Sequence, residues 1–195
     1  MMLVKINPKQ NNLNLAVERI EEAAKNKADI VLLPEAMDLG WTHSAAKTEA
    51  EPIPGGSTFE TLAQAAKKYN IYVCAGIIEK DGDRTFNSAV LINRKGELVL
   101  KHRKINELDI AHDLYDQGDG INVCKTEFGT IGLLICADAT AKDHVLTRSI
   151  GYLGADLILL PSSWAVEANH NNEKTPYGET WTNAFFPVCK EFYLN

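Results

Sequence analysis

Three residues of this 195-residue chain could do covalent chemistry together: a thiol, a carboxylate and an ammonium, each closing a strand-like run. Cys136 closes Ile131-Gly132-Leu133-Leu134-Ile135 and is followed by Ala137-Asp138, so it sits where a buried strand gives way to a turn. In open α/β sheets ligands gather outside the carboxyl ends of strands, and a turn there offers backbone amides to a developing oxyanion. That position argues for a nucleophile, against the alternative of an inert buried thiol. Glu35 lies just past another such run, Leu32-Leu33-Pro34. Desolvation there raises a carboxylate's affinity for a proton toward the range useful to a general base; the alternative is a solvated loop Glu. Lys104 ends the run 97–103, where strand alternation puts His102 and Lys104 on one face and Lys101 and Arg103 on the other. Read alone, this is a solvated basic strand end. Cys74 and Cys124 read as small buried hydrophobes, and Cys189 is ambiguous.

Strands must end in one place to bring these residues together. Residues 3–6 form a short apolar run, and Leu13, Val17, Ile20 and Ala24 recur at helical spacing within 11–26. The run 28–34 has the continuous apolar character of a strand buried on both faces. Ser57 and Glu60 have the spacing of a capping box ahead of a helix to about Tyr69. Residues 71–78, 88–92 and 97–103 read as an antiparallel meander with turns at Asp81-Gly82 and Arg94-Lys95-Gly96. Strands follow near 122–126 and 130–135, then a helix over 142–152 stopped by Gly154. The run 155–161, Ala-Asp-Leu-Ile-Leu-Leu-Pro, nearly repeats the earlier Ala-Asp-Ile-Val-Leu-Leu-Pro, which points to a pseudo-symmetric two-sheet α/β architecture. Residues 167–177 read as a loop, and 181–195 as a helix interrupted by Pro187 and then the start of a strand.

Composition narrows the partners. At 45% hydrophobic and 24% charged the chain is an ordinary globular sequence, read as a single domain over 1–195. Twenty Lys and Arg against twenty-six Asp and Glu give a net charge of −6, which lacks the basic footprint of a nucleic-acid binder and argues against an anionic membrane. No apolar stretch approaches the roughly 18–20 residues that cross a bilayer, and the first residues lack a signal-peptide pattern. The expectation is a cytoplasmic protein with free thiols. The four cysteines have no C-x-x-C pair and no histidine at zinc-ligand spacing, so no metal and no other cofactor is expected.

The ordered set Leu-Leu-Pro-Glu35, then Lys-His-Arg-Lys104-Ile-Asn-Glu-Leu, then Gly-Leu-Leu-Ile-Cys136-Ala-Asp, then Gly-Ala-Asp-Leu-Ile-Leu-Leu-Pro-Ser-Ser-Trp resembles the nitrilase, or carbon–nitrogen hydrolase, superfamily along almost the whole chain. The resemblance implies an α/β fold, an α-β-β-α sandwich with two mixed sheets. It implies Glu35 as general base, Lys104 as the cation that stabilises the oxyanion, and Cys136 as nucleophile, with the Ala137 amide sharing the negative charge. The implied activity is hydrolysis of a C–N bond in a small amide or N-carbamoyl amine through a Cys thioester. Many members carry a second Glu beyond the Lys, for which Glu107 is the candidate; a surface salt bridge is its alternative. His43, Trp164 and residues 167–177 are candidates to line the substrate pocket.

Thr140-Ala141-Lys142-Asp143 stands where many members have Arg-Phe-Pro-Glu, which puts the substrate-side wall there in question. Relatives are commonly longer by several strands. Either the chain is a fragment or its second sheet is C-terminally short, and an incomplete sheet leaves an exposed edge for a partner or a second copy to cover, with a homo-oligomer the expectation. Two other readings compete: a catalytically silent nitrilase-like module, and an isochorismatase-like cysteine hydrolase. The latter needs an early Asp after the first strand, and none precedes Asp29. A Cys–His hydrolase using His102 or His144 is weaker again.

Overall fold

The computed structural model describes residues 9–164, 166 and 169–192. The strand expected at 3–6 and the one expected to begin near the end of the chain lie outside the described residues. Helix α1 (Lys9–Lys25) turns Leu13, Ala16 and Ile20 inward, as its apolar spacing requires. It leads into β1 (Ile30–Leu32), a one-turn α2 (Ala46–Glu49) and α3 (Ser57–Tyr69). The meander is β2 (Tyr72–Asp81), β3 (Arg84–Ile92) and β4 (Leu98–Arg103), antiparallel throughout, with β1 parallel to β2 at the other side. A second sheet pairs β5 (Val123–Thr126) antiparallel with β6 (Gly129–Leu133), and β6 parallel with β7 (Leu157–Leu159). α4 (Val145–Tyr152) precedes β7 and α5 (Tyr177–Phe192) follows it.

Period-two alternation along β2 sorts the layers. Val73, Ala75 and Ile77 pack under α1 and α3, with Leu62, Ala66 and Ile20. Tyr72 and Cys74 point the other way, with Leu91 and Leu100, onto Ile131, Leu133 and Leu159 of the second sheet. Leu134 packs with Ile150 of α4 and Val188 of α5 on the outer side of that sheet. The result is the α-β-β-α sandwich expected. Each large apolar side chain so buried contributes about 1.5–3 kcal/mol.

Four expectations need correction. β1 is shorter and less covered than a strand buried on both faces: Leu32 is 47% exposed, because among the described residues only β2 flanks it. The capping box of Ser57 and Glu60 does not form. Gly56 is the N-cap, and Glu51 from the preceding loop accepts the Ser57 hydroxyl (2.8 Å) and the Thr58 amide (3.0 Å). The helix expected over 142–152 begins its α turns only at Val145, because Asp143 and His144 take left-handed φ and split off a separate 3-10 turn. α5 continues through Pro187 instead of breaking there. Proline removes one amide and crowds the preceding turn. The turn beyond it is held by Val188, fully buried against Leu134 and Ile150, and by the Arg148–Glu191 ion pair.

Glu51 thus caps α3 from outside the helix and also pairs with Lys9 (2.8 Å). Burial acts to raise its carboxyl, but Lys9, the Thr58 amide and the Ser57 hydroxyl outweigh that and hold it at about 2, below the ordinary 4.5. A depressed folded-state value means the contribution is complete above 4.5 and drains away as pH falls toward 2. Glu51→Gln should therefore lower stability by about 0.5–2 kcal/mol at neutral pH, the size of a lost cap. Urea unfolding should show the gap to wild type closing as the solution is acidified through that window.

Candidate active site

Three segments far apart in sequence end within hydrogen-bond distance of one another. The chain leaves β1 through Leu33 and Pro34 and stays clamped to β2: the Leu33 amide donates to the Cys74 carbonyl (2.8 Å) and the Gly76 amide to the Pro34 carbonyl (3.0 Å). A side chain at position 76 would not fit, since its Cβ would lie 2.4 Å from the Glu35 Cα. Gly76 is what lets Glu35 lie flush on the sheet. Lys104 follows β4 directly, its amide donating to the Asn87 carbonyl and its carbonyl accepting the Gly118 amide, both at 2.9 Å. Gly118 is required in the same way, because a Cβ there would meet the Arg103 carbonyl oxygen at 2.1 Å.

Beyond β6 the chain enters a five-residue 3-10 turn, Cys136–Thr140, with Cys136 at a φ of +42°. A non-glycine residue in that region costs about 1–3 kcal/mol and persists only where its surroundings over-determine it. Here the Cys136 amide donates to the Pro161 carbonyl beyond β7 (3.1 Å), and Asp138 anchors the rest of the turn. Its Oδ1 accepts the amides of Ile105 (3.0 Å) and Asn106 (2.8 Å), and its Oδ2 accepts the Ile135 amide (2.9 Å) and Nε2 of His102 (2.8 Å). Asn106 returns a bond from Nδ2 to the Ala137 carbonyl (2.6 Å).

The side chains converge on Lys104. Its Nζ donates to Glu35 Oε1 and to Glu107 Oε1, both at 2.8 Å, and lies 5.0 Å from the centre of the Trp41 ring. Asn87 Nδ2 bridges the two carboxylates, reaching Glu35 Oε1 at 2.7 Å and Glu107 Oε2 at 3.1 Å. The Trp41 indole donates to Glu107 (3.1 Å), and the Ser163 amide to Glu35 Oε2 (2.9 Å). The Cys136 thiol lies close enough to Glu35, Lys104 and the Ser163 amide to feel all three electrostatically. Lys104 and Glu35 are 2% and 1% exposed, so neither is a solvated surface residue, and the Glu107 side chain is only 4% exposed.

Burial pushes the Cys136 thiol up to about 12; Glu35 adds to this, while Lys104 pulls it down. At rest the thiol keeps its proton. Burial also works against the charge on Lys104, but the carboxylates of Glu35 and Glu107 more than reverse it and hold the ammonium above its ordinary value.

Of the expected residues, Glu35, Lys104, Cys136 and Glu107 come together. Ala137, 2% exposed, opens the turn beside Cys136, where first-turn amides have no acceptor within the helix. Trp164 is one residue beyond the Ser163 amide; its ring is 43% exposed and packs edge-on against Trp181 at 4.7 Å. His43 is engaged locally, its Nδ1 accepting the Ala45 amide (3.2 Å). Of residues 167–177, Glu167 and Ala168 lie outside the described residues, and Asn171 closes a turn onto the amides of Glu173 and Lys174. Asn87, Trp41, Ser163 and Asp138 escaped assignment from sequence. Asn87 fell just before the strand read over 88–92, which extends back through it to Arg84.

With this geometry in place, the carbon–nitrogen hydrolase family model matches residues 3–181. The chain belongs to the carbon–nitrogen hydrolase family. It is 33% identical over 168 residues to a nitrilase of Pyrococcus abyssi, covering 82% of this chain and 63% of that protein. To the omega-amidase NIT2 of Xenopus tropicalis it is 33% identical over 166 residues, 80% of this chain and 59% of that one. It is thus shorter than these relatives. Among solved structures, Nit3 of Saccharomyces cerevisiae, a nitrilase-superfamily member, superposes with a TM-score of 0.82 at 24% identity, covering 98% of this chain and 70% of that one. An amidase of Nesterenkonia sp. AN1 from the same superfamily gives 0.74 at 20% identity, covering 84% and 62%. Family membership sets aside the isochorismatase-like reading. Among the described residues no helix is long and apolar enough to cross a membrane.

Removing one member of a buried ion pair typically costs about 3–5 kcal/mol, because the partner charge is left uncompensated. Lys104→Gln should therefore lower stability by about that much in chemical denaturation. Adding Glu107→Gln should restore part of it. Additive losses in this double-mutant cycle would show that Lys104 and Glu107 do not share a charge network.

Proposed function

We propose that the chain is a thiol hydrolase of small amides or N-carbamoyl amines, with Cys136 as nucleophile and Glu35 as general base. Lys104 stabilises the oxyanion, and Glu107 is the second carboxylate that holds Lys104 in place. The observation that carries this reading is a buried lysine, Lys104, held at 2.8 Å by two carboxylates, one of which, Glu35, is near enough to the Cys136 thiol to shift it.

In this reading Glu35 accepts the Cys136 proton as sulfur bonds to the substrate carbonyl carbon. The carbonyl electron pair moves onto oxygen, where Lys104 and the Ala137 amide meet it. Collapse of the tetrahedral adduct expels ammonia or an amine, which takes the proton from Glu35. Water then gives a proton to Glu35 and adds to the thioester carbon; collapse releases the acid and returns the thiol. Trp164, one residue beyond Ser163, is proposed as a contact for the substrate's far end. The family match and the amidase relatives support the reaction class, and the preference for amides or N-carbamoyl amines over nitriles rests on the commoner chemistry of that family. The partners proposed are a small amide-type molecule and a second copy of the chain over the edge of the smaller sheet.

Glu35→Gln keeps the side chain's shape but removes its basicity, so turnover should fall by about 10²–10⁴, the range for a lost general base. A Glu-to-Gln variant of the Nesterenkonia amidase carries the acetamide moiety of fluoroacetamide on its active-site cysteine. That adduct keeps the amide nitrogen and so reports a reactive thiol; the test for acyl transfer is mass spectrometry of Glu35→Gln with a hydrolysed amide, which should show an acyl adduct that forms slowly and maps to Cys136. Wild-type turnover by Glu35→Gln, or an adduct on Cys74, Cys124 or Cys189, would overturn the assignment. Failure of the wild-type chain to release ammonia from any of a panel of amides, N-carbamoyl amines and nitriles would favour the silent-module reading.

A further inference from the structure

The Asp138 carboxylate is fully buried and receives four donors, which fill both oxygens of an ionised carboxylate. Two of those donors, the amides of Ile105 and Asn106, belong to the segment that immediately follows Lys104. A third, the Ile135 amide, precedes Cys136. One carboxylate therefore ties the backbone on the far side of Lys104 to the backbone on the near side of Cys136. Neither reactive atom is touched.

The fourth donor comes from His102, on the same strand face as Lys104 and 3% exposed. Its Nε2–H donates to Asp138 Oδ2, and its Nδ1 is buried without a hydrogen-bond partner. A doubly protonated ring would bury an N–H with no acceptor, which is costly. His102 is thus engaged through Nε2 alone, turned to Asp138.

We propose that Asp138 is a positioning residue that sets the distance between Lys104 and Cys136, with His102 fixing the orientation of its carboxylate. This rests on the reading of Cys136 as nucleophile and Lys104 as its cation. The physical reason is that the 3-10 turn holds Cys136 in a left-handed conformation it would not keep alone, and the β4 strand has already ended before Lys104. Neither secondary structure spans the gap between the two residues. The carboxylate does, using amide donors from both sides.

Asparagine at 138 would turn its amide group toward two of the four donors, whichever way it flips, and break the tie on one side. A misplacement of about 1 Å away from the chemistry can cost about 10²-fold in rate. The test follows alkylation of Cys136 by iodoacetamide, a small amide itself, by peptide mapping at a fixed, near-neutral pH, alongside thermal melting. Ammonia release from the best amide of the panel gives the turnover.

Asp138→Asn should lower kcat by about 10²-fold with KM changed by no more than about threefold. The rate of Cys136 alkylation at that pH should fall relative to that of Cys124 and Cys189, because Lys104 is no longer held at its distance from the thiol. A folded Asp138→Asn protein with wild-type kcat and an unchanged Cys136 alkylation rate would overturn the proposal, whatever its melting temperature. If that variant does not fold, His102 decides. His102→Gln keeps an N–H donor and should retain more turnover than His102→Leu; equal losses would overturn the proposal. In wild type, Cys136 labelling no faster than that of Cys74, Cys124 and Cys189 would instead remove the nucleophile reading, and this proposal with it.

Discussion

Lys104 carries a charge where almost no water reaches it, and the cost of that burial organises the architecture around it. Taking an ion out of water costs several kcal/mol even after relaxation, and a buried pair breaks even only when its remaining hydrogen bonds are made. Glu35 and Glu107 supply the opposing charge, but two carboxylates on one ammonium leave an excess negative charge that needs donors of its own. Asn87 from β3, the Trp41 indole, the Ser163 amide from beyond β7 and the Leu108 amide provide them. Each comes from a different segment. The cluster therefore exists only when both sheets and the loops at their ends are assembled, and it in turn specifies how those loops dock.

The two similar apolar runs show how a repeated element can serve unequal roles. Both follow a helix, both become short strands parallel to a neighbour, and both stop at proline. After the first, the next residue is Glu35. After the second come Ser162 and Ser163, and the backbone itself takes over: the Pro161 carbonyl receives the Cys136 amide and the Ser163 amide reaches Glu35. The second strand end thus supplies one hydrogen bond to the proposed nucleophile's backbone and another to the proposed base.

Much of this was legible from residue patterns. Strand patterns and turn signals located the meander, the repeated apolar run and the family resemblance pointed to two sheets, and alternation along β4 put His102 and Lys104 on one face. What periodicity could not show was that this face is buried, because the sequence of a strand end is the same whether water or a second sheet lies over it. Glu51 is the clearest miss in the fold. A capping box reads locally at Ser57 and Glu60, yet a carboxylate six residues earlier in the chain wins, since it can also pair with Lys9 across the loop. Asp138 is the clearest miss at the site. It stood in plain view two residues after Cys136, but three of its four donors, from His102, Ile105 and Asn106, come from another strand end that no local pattern connects to it.

The resting electrostatics also bear on how such a site avoids reacting with the wrong molecule. The Cys136 thiol is raised by burial and by the carboxylate beside it, so the site holds no standing thiolate. Glu35 already accepts bonds from Lys104, Asn87 and Ser163, and taking up the thiol proton would disturb that set. Proton transfer between them is therefore unfavourable on its own. It becomes favourable only when negative charge forms on an oxygen within reach of Lys104, because the ammonium then gains a partner as Glu35 is neutralised. In the proposed mechanism, the lysine that restrains the base at rest is the one that draws the reaction forward, and a molecule without a suitably placed carbonyl gains nothing from either.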